Sequence, residues 1–186
     1  VNQKYHDLKH QIAILRTTAT EEEKTAYLDQ MEKEIKCYEA QNKTGNRILD
    51  TILTAKTIQC QNHGISLTCV ADGKELDFLQ PMDISALFGN ALDNAIESVK
   101  KIDDPQKRLI HVSVSRQKNF LRIKVENCYE GKLEFENGIP KTTKQDKRFH
   151  GYGMKSIRKI VEKYNGSVTV NAKDGWFELR ILMVIG

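Results

Sequence analysis

Apolar positions recur along this chain with two different periods, and the change from one to the other divides it. Leu8, Ile12 and Leu15 stand at helical spacing, and Leu28, Met31, Ile35 and Tyr38 follow at steps of three and four. Residues 17 to 20 read as a turn between these two runs. Thr20 and Glu23 make a capping box, and Glu21, Glu22 and Glu23 fill a first turn where the helix dipole favours acid. The stretch Asn42 to Asn46, with Gly45, interrupts the pattern. Ile48, Ile52 and Ala55 resume it towards Asn62-His63-Gly64.

From Gly64 the period shortens to two. Ile65, Leu67 and Cys69 predict a strand, Ile110, Val112 and Val114 a second, and Leu121, Ile123 and Val125 a third, with a tight turn at Lys118-Asn119. Between the first two lies a helix carrying Leu87, Phe88, Ala91, Leu92, Ala95 and Ile96. Asp83 is its expected cap, and it ends near Lys100-Lys101. Residues 128 to 150 are polar, basic and nearly without pattern, which predicts a long functional loop. Met154, Ile157, Val161 and Tyr164 then predict a helix stopped by Asn165-Gly166. A closing hairpin turns at Asp174-Gly175. The expected architecture is α+β: a helical hairpin over residues 1–62 that pairs with a second copy as a four-helix bundle, then an α/β sandwich over residues 63–186. Its helices cover one face of a largely antiparallel sheet.

Composition narrows this picture only a little. The 186 residues carry a net charge of +4, with 29 basic residues scattered among 25 acidic ones, which makes no case for nucleic acid. No apolar run approaches membrane-spanning length, and no signal peptide is visible. Opening directly in helix-like sequence, the chain is expected to be a portion of something longer. Cys37, Cys60, Cys69 and Cys128 form no CxxC pair, and are read as reduced packing residues in an intracellular compartment.

The chemistry is concentrated in a few places. Asn90 and Asn94 lie one helical turn apart on the same face, amid apolar neighbours. Buried amides need partners, and their oxygens suit Mg²⁺, which takes few protein ligands and keeps waters and phosphate oxygens. Satisfaction by neighbouring backbone is the alternative. Gly151-Tyr-Gly153 stands between the basic loop and a helix start, where bare backbone N–H groups could meet phosphate. Thr142, Thr143, Lys144, Lys147, Arg148 and His150 surround it. Asn127 shares parity with Leu121, Ile123 and Val125, so it faces inward, where an amide could read an adenine edge or simply start a loop. His6 and His10 share a helical face, but HDLKH lacks the glutamate and third ligand of a zinc site. A sharper reading makes His6 a nucleophile and Asp7 its base, with Nδ1–H held and Nε2 free to attack phosphorus. Adjacent helical residues do not face one another, so Asp7 must reach His6 by rotamer or act in the assembled complex.

In this order the boxes resemble the cytoplasmic part of a bacterial sensor histidine kinase. Tyr5-His-Asp-Leu-Lys-His10 looks like its H-box, Asn90-Ala-Leu-Asp-Asn94-Ala its N-box, and His150-Gly-Tyr-Gly-Met154 with Lys155-Ser-Ile157 its second glycine box. Thr44-Gly-Asn46, Asp50, Lys56 and the run Ile160 to Gly166 are similar to the Agr-type, peptide-pheromone-sensing branch. The resemblance implies a GHKL (Bergerat-fold) ATP-binding domain behind a dimerising phosphotransfer hairpin. It implies His6 as phosphoacceptor with Asp7 as base, Asn94 as Mg²⁺ ligand and Asn90 supporting metal and phosphates. Lys144, His150, Gly151, Tyr152, Gly153 and Met154 would line ATP or ADP, residues 128–150 would form the lid, and Asn127 would meet adenine. The implied partners are a second copy and a cognate response regulator, not nucleic acid. An N-terminal membrane sensor region absent from this chain would make it the cytoplasmic portion of a membrane-anchored protein. Most such kinases place Asp in a DxGxG box where this chain has Asn127-Cys-Tyr-Glu-Gly131, a box the Agr-type branch lacks, and a neutral amide accepts less strongly than a carboxylate. The competing expectations are a GHKL-type ATPase, which would carry glutamate in place of Asn90, and a catalytically degenerate dimerising module.

Overall fold

The computed structural model describes residues 20–26, 28–29, 43–130, 135–136, 139–140 and 147–185, with only the backbone from 135 to 152. The chain divides into two compact units, Val1–Gln41 and Asn42–Gly186. In the first unit, residues 21–26 and 28–29 are helical. The capping box is present: Glu23 Oε2 accepts from Thr20 N–H at 2.9 Å and Thr20 Oγ1 accepts from Glu23 N–H at 3.2 Å. Residues 1–19, 27 and 30–42 of the expected hairpin lie outside the described residues.

The second unit takes in residues 42–62 as well, ahead of the division expected after residue 62. Its first helix, α1 (Arg47–Gln61), contributes fully buried Leu49 and Leu53 to the common core. Asn46 starts that helix. Its Oδ1 accepts from Ile48 and Leu49 N–H, both at 3.1 Å, and its Nδ2 donates to Asp77 at 3.2 Å. Asp50 folds back to accept from Thr44 N–H and Oγ1–H. Gly73 meets this turn so closely that a Cβ there would stand 2.4 Å from Thr44 Oγ1. Residues 44–50 are therefore a folded start for α1. Beyond α1, β1 (Ser66–Ala71) and a short 3₁₀ turn at Gly73–Leu76 lead to α2 (Pro81–Val99). The hairpin β2 (Leu109–Gln117) and β3 (Phe120–Cys128) turns at Lys118, whose φ is +55°.

Two-residue strands β4 (Phe135–Glu136) and β5 (Ile139–Pro140) pair within the segment expected to be pure loop. Helix α3 (Lys147–Lys163) also begins earlier than the expected start near Met154. The polar run ahead of Met154 has no apolar period to announce a helix, which is why pattern alone places the start too late. Strands β6 (Ser167–Lys173) and β7 (Trp176–Val184) close the chain. The five-stranded sheet runs β1-β2-β3-β7-β6. Only β1 and β2 are parallel, so the sheet is mixed but largely antiparallel, as expected.

The helices pack on one sheet face. Helix α2 touches α1, α3, β2 and β3. Its buried stripe, Ile84, Leu87, Phe88, Ala91, Leu92, Ala95, Ile96 and Val99, meets Ile110, Val112, Leu121, Ile123, Val125, Leu179 and Ile181 from the sheet. The opposite sheet face is polar. Lys124 pairs with Glu126 at 3.0 Å, Arg180 with Glu178 at 2.8 Å, and His111 stacks on Trp176. Cys60, Cys69 and Cys128 are free thiols. Burial pushes Cys60 and Cys69 each up to about 11, Asp50 adding to the shift at Cys69. Among the described residues, no helix is long and apolar enough to cross a membrane.

Asp83 does not cap α2. Pro81 fixes the first turn, Gln80 takes the cap position without a side-chain bond, and Asp83 falls two residues inside. Its carboxylate instead accepts from Lys163 Nζ at 2.7 Å and Tyr164 O–H at 2.5 Å, just past the end of α3. Those two bonds, Lys163 first, hold the Asp83 carboxyl below its usual range, and Asp83 raises Lys163. A lowered carboxyl contributes stability above its unfolded pKa and loses it as pH falls through the folded value. A raised lysine contributes below its unfolded pKa and loses it as pH rises through the folded value. The contribution is therefore whole at neutral pH. Asp83→Asn should narrow its stability gap from the parent as pH falls below the carboxylate range, measured by urea unfolding from pH 3 to 7. Asn46→Ala should cost about 1–2 kcal/mol in the same assay.

Candidate functional site

The burial of α2 decides what its remaining face presents. With Ala91, Leu92, Ala95 and Ile96 buried, Asn90 and Asn94 come to the edge of the stripe, both half-buried, on the side towards α3. Asn90 Nδ2 donates to Ala86 C=O at 2.7 Å, which turns Oδ1 away from its own helix backbone. A Cβ built on Gly153 would lie 3.5 Å from Asn90 Oδ1 and 3.7 Å from both amide atoms of Asn94. Three residues picked from two separate sequence motifs thus converge on one spot. Asn94 has no side-chain hydrogen bond to the described residues. A half-buried amide of that kind can take a partner from solution.

The glycines do not act as the sequence suggested. Gly151 and Gly153 lie inside α3, in its second turn, not ahead of its start. Their N–H groups there close bonds to carbonyls four residues back and are not free for an anion. What Gly153 supplies is the missing Cβ beside the two amides. Met154, expected at the same site, is 8% exposed and belongs to the core. His150 and Tyr152 fall in α3, but their side chains lie outside the described residues, as do Lys144, His6 and Asp7 altogether.

Asn127 is 1% exposed, at the end of β3 between Ile110 and Phe177 in register. Its Nδ2 donates to Cys128 C=O at 2.8 Å, so the amide offers its oxygen as the acceptor. The inward orientation expected from strand parity is present. Its hydrogen bond goes to adjacent backbone, with none to Asn90 or Asn94.

Two neighbouring contacts had no signal in the sequence. Lys56 on α1 pairs with Asp93 at 2.5 Å, and this compensates the carboxylate that stands between the two amides. The cluster of Gln80, Asp83, Lys163 and Tyr164 joins the start of α2 to the end of α3. Partners 37 and about 80 residues apart leave no local spacing to detect. No group of three or more His, Cys, Asp or Glu that could hold a metal occurs among the described residues, so a cation here would rely on neutral amide oxygens.

Comparison with known proteins gives a consistent picture. Residues 79–184 match the family described as the GHKL domain. The chain is 24% identical over 183 residues to a probable C4-dicarboxylate sensor kinase of Halalkalibacterium halodurans. The match takes in 92% of this chain and 34% of that protein, so the chain spans about a third of the relative's length. Among solved structures, the catalytic domain of the histidine kinase ThkA superposes with a TM-score of 0.57 at 17% identity, covering 74% of this chain and 90% of that one. The histidine kinase AdeS of Acinetobacter baumannii gives 0.55 at 13% identity, covering 97% and 98%. Full-length ShkA in complex with AMPPNP gives 0.54 at 13%, covering 93% and 41%. At these identities the likeness is one of fold.

Gly153→Ala separates fold from function at this spot. Alanine should raise helix stability by up to about 1 kcal/mol, because the new methyl meets only ordinary contacts. It should also fill the space beside the amides and weaken binding of any ligand there. Thermal unfolding and nucleotide titration of the same variant check both halves.

Proposed function

The chain belongs to the GHKL-domain family, and on that premise we propose that it is the kinase portion of a bacterial sensor histidine kinase. It would bind ATP, transfer the γ-phosphoryl group to His6, and pass it to an aspartate of a response regulator. The observation that carries the reading is the convergence of Asn90, Asn94 and Gly153, with an amide at 90 where a hydrolytic relative would need a carboxylate to activate water. The 34% span of the sensor-kinase relative leaves its whole-protein activity as support only.

The donor set fits Mg²⁺: the Asn94 side chain makes no bond to the described residues, and Asn90 presents oxygen on the same side. Asn94 would be its ligand and Asn90 its support. When bound, Mg²⁺ would offset negative charge on the phosphate oxygens. Asn127, which gives one amide N–H to Cys128 C=O, would accept from the adenine amino group through its oxygen. Lys144, His150 and Tyr152 are proposed around the nucleotide on sequence grounds alone, with residues 128–150 as its lid, while Gly151 and Met154 would stand beside it in α3 without donating backbone N–H groups. Asp7 would hold the Nδ1 proton of His6 while Nε2 attacks phosphorus. The bond from γ-phosphorus to the bridging oxygen breaks, the nitrogen–phosphorus bond forms, and ADP leaves.

The residues ahead of α1 would supply the dimerising hairpin, two copies forming a four-helix bundle, with α1 and residues 63–186 as the catalytic part. A membrane-anchored sensor region would precede the chain and keep this portion in the cytoplasm. The likeness to the Agr-type branch rests on Thr44, Gly45, Asn46, Asp50, Lys56 and the run Ile160 to Gly166. Thr44, Asn46 and Asp50 build the α1 cap, so their support is architectural.

Incubation with γ-labelled ATP and Mg²⁺ tests the proposal. Acid-labile, base-stable label should appear on the parent and vanish in His6→Gln. Asn94→Ala should lose labelling while its unfolding midpoint stays near that of the parent. Steady phosphate release without label would mark an ATPase, and neither signal would mark a degenerate module.

A further inference from the structure

Polar groups lie between helices α2 and α3 at two places, and one pair at each place is equally spaced along both. Asp83 meets Tyr164, and Asn94 meets Gly153. The separation along α2 is 11 residues (94 − 83), and along α3 and its C-terminal turn it is also 11 (164 − 153). At 1.5 Å per residue each is about 16 Å, so the helices act as matched antiparallel rods pinned at one end and facing the site at the other.

The pinned end is unusually well connected. Tyr164 Oη accepts from Gln80 N–H at 3.0 Å, one of the orphan donors at the start of α2, and donates to Asp83 Oδ2 at 2.5 Å. Lys163 Nζ donates to Asp83 Oδ2 at 2.7 Å and to Gln80 Oε1 at 3.1 Å. The Tyr164 ring meets Phe78 edge-on at 5.9 Å. Between the ends the helix contact is carried by apolar residues such as Ile157, whose attraction is not directional and specifies axial register less sharply than a hydrogen bond. The hydrogen bonds at Tyr164 are directional.

We propose that Tyr164, acting with Asp83, is a positioning residue for the nucleotide site: it fixes the axial register of α3 on α2, and so the place of Gly153 beside Asn90 and Asn94. This rests on the kinase reading for its functional consequence but not for its geometry. Loss of the clasp would let α3 shift along its axis and close or skew the space that Gly153 keeps open.

Tyr164→Phe removes both hydrogen bonds and keeps the ring, and Asp83→Asn serves if that variant does not fold. The side-chain amide signals of Asn90 and Asn94 are recorded by NMR without nucleotide, and Mg·ATP affinity is measured by calorimetry. Both amide signals should move, and affinity should fall about three- to tenfold, the range expected for lost hydrogen bonds. Lys163→Arg, which keeps a cationic donor, should behave as the parent. Asn46→Ala, destabilised at the distant α1 cap, should leave signals and affinity unchanged. Unmoved amide signals overturn the proposal. So does unchanged affinity when the parent binds, or an equal response in Asn46→Ala. A parent that binds no nucleotide sinks the kinase reading, while the amide signals still decide the positioning role.

Discussion

The burial of α2 is the constraint on which the rest depends. Eight of its 19 residues are buried against sheet and helices, and each large apolar side chain among them contributes on the order of 1.5–3 kcal/mol. That stripe leaves no rotational freedom. Turning the helix by one residue would drive Asn90 or Asp93 into a core made of Ile, Leu and Val, at a cost that no local hydrogen bond offsets. The same stripe fixes three other relations. Asp93 is turned to Lys56 on α1, Asn90 and Asn94 to α3, and Asp83 to Tyr164. The site is thus a by-product of how one helix is buried, and its rotational setting comes from the core.

Much of this was legible because the residues involved announce themselves locally. Alternation at Ile110, Val112 and Val114 and at Leu121, Ile123 and Val125 marks two strands, and their buried parity places Asn127 inward, as found. The Asn90/Asn94 spacing needs only a helix to become a shared face. What stayed hidden depends on partners distant in the chain. Asp83 has the residue type and position of a cap, and Pro81 overrides it by starting the helix earlier, which frees the carboxylate for Tyr164. Gly151 and Gly153 look like loop glycines because the seven residues before Met154 lack an apolar period, yet Lys147–Lys163 is one continuous helix. His6, Asp7 and Lys144 lie outside the described residues, so their part in the reading still rests on the sequence.

The corrected place of Gly153 changes the physical account of the site. Glycine in the middle of a helix costs roughly 0.5–1 kcal/mol against alanine. That cost is sited where two amides converge and where a methyl group would sit 3.5 Å from one of them. A local rule of helix chemistry is thus broken at the spot where the two helices leave room between polar groups, the kind of exception expected at a functional site.

The choice of amides over carboxylates follows the same logic. A polyphosphate brings several negative charges, and a carboxylate placed beside them would repel it unless fully neutralised by a cation. The residues facing that space, Asn90 and Asn94, are neutral oxygen donors, as is Asn127 at the end of β3. The carboxylate nearest in sequence, Asp93, is turned aside and paired with Lys56. Neutral donors also leave water without a general base at position 90, so a bound phosphoanhydride would be held without being spent on solvent. On the proposed kinase reading, a site that binds without hydrolysing is what transfer to a separate histidine requires, and two amides with one absent side chain would provide it.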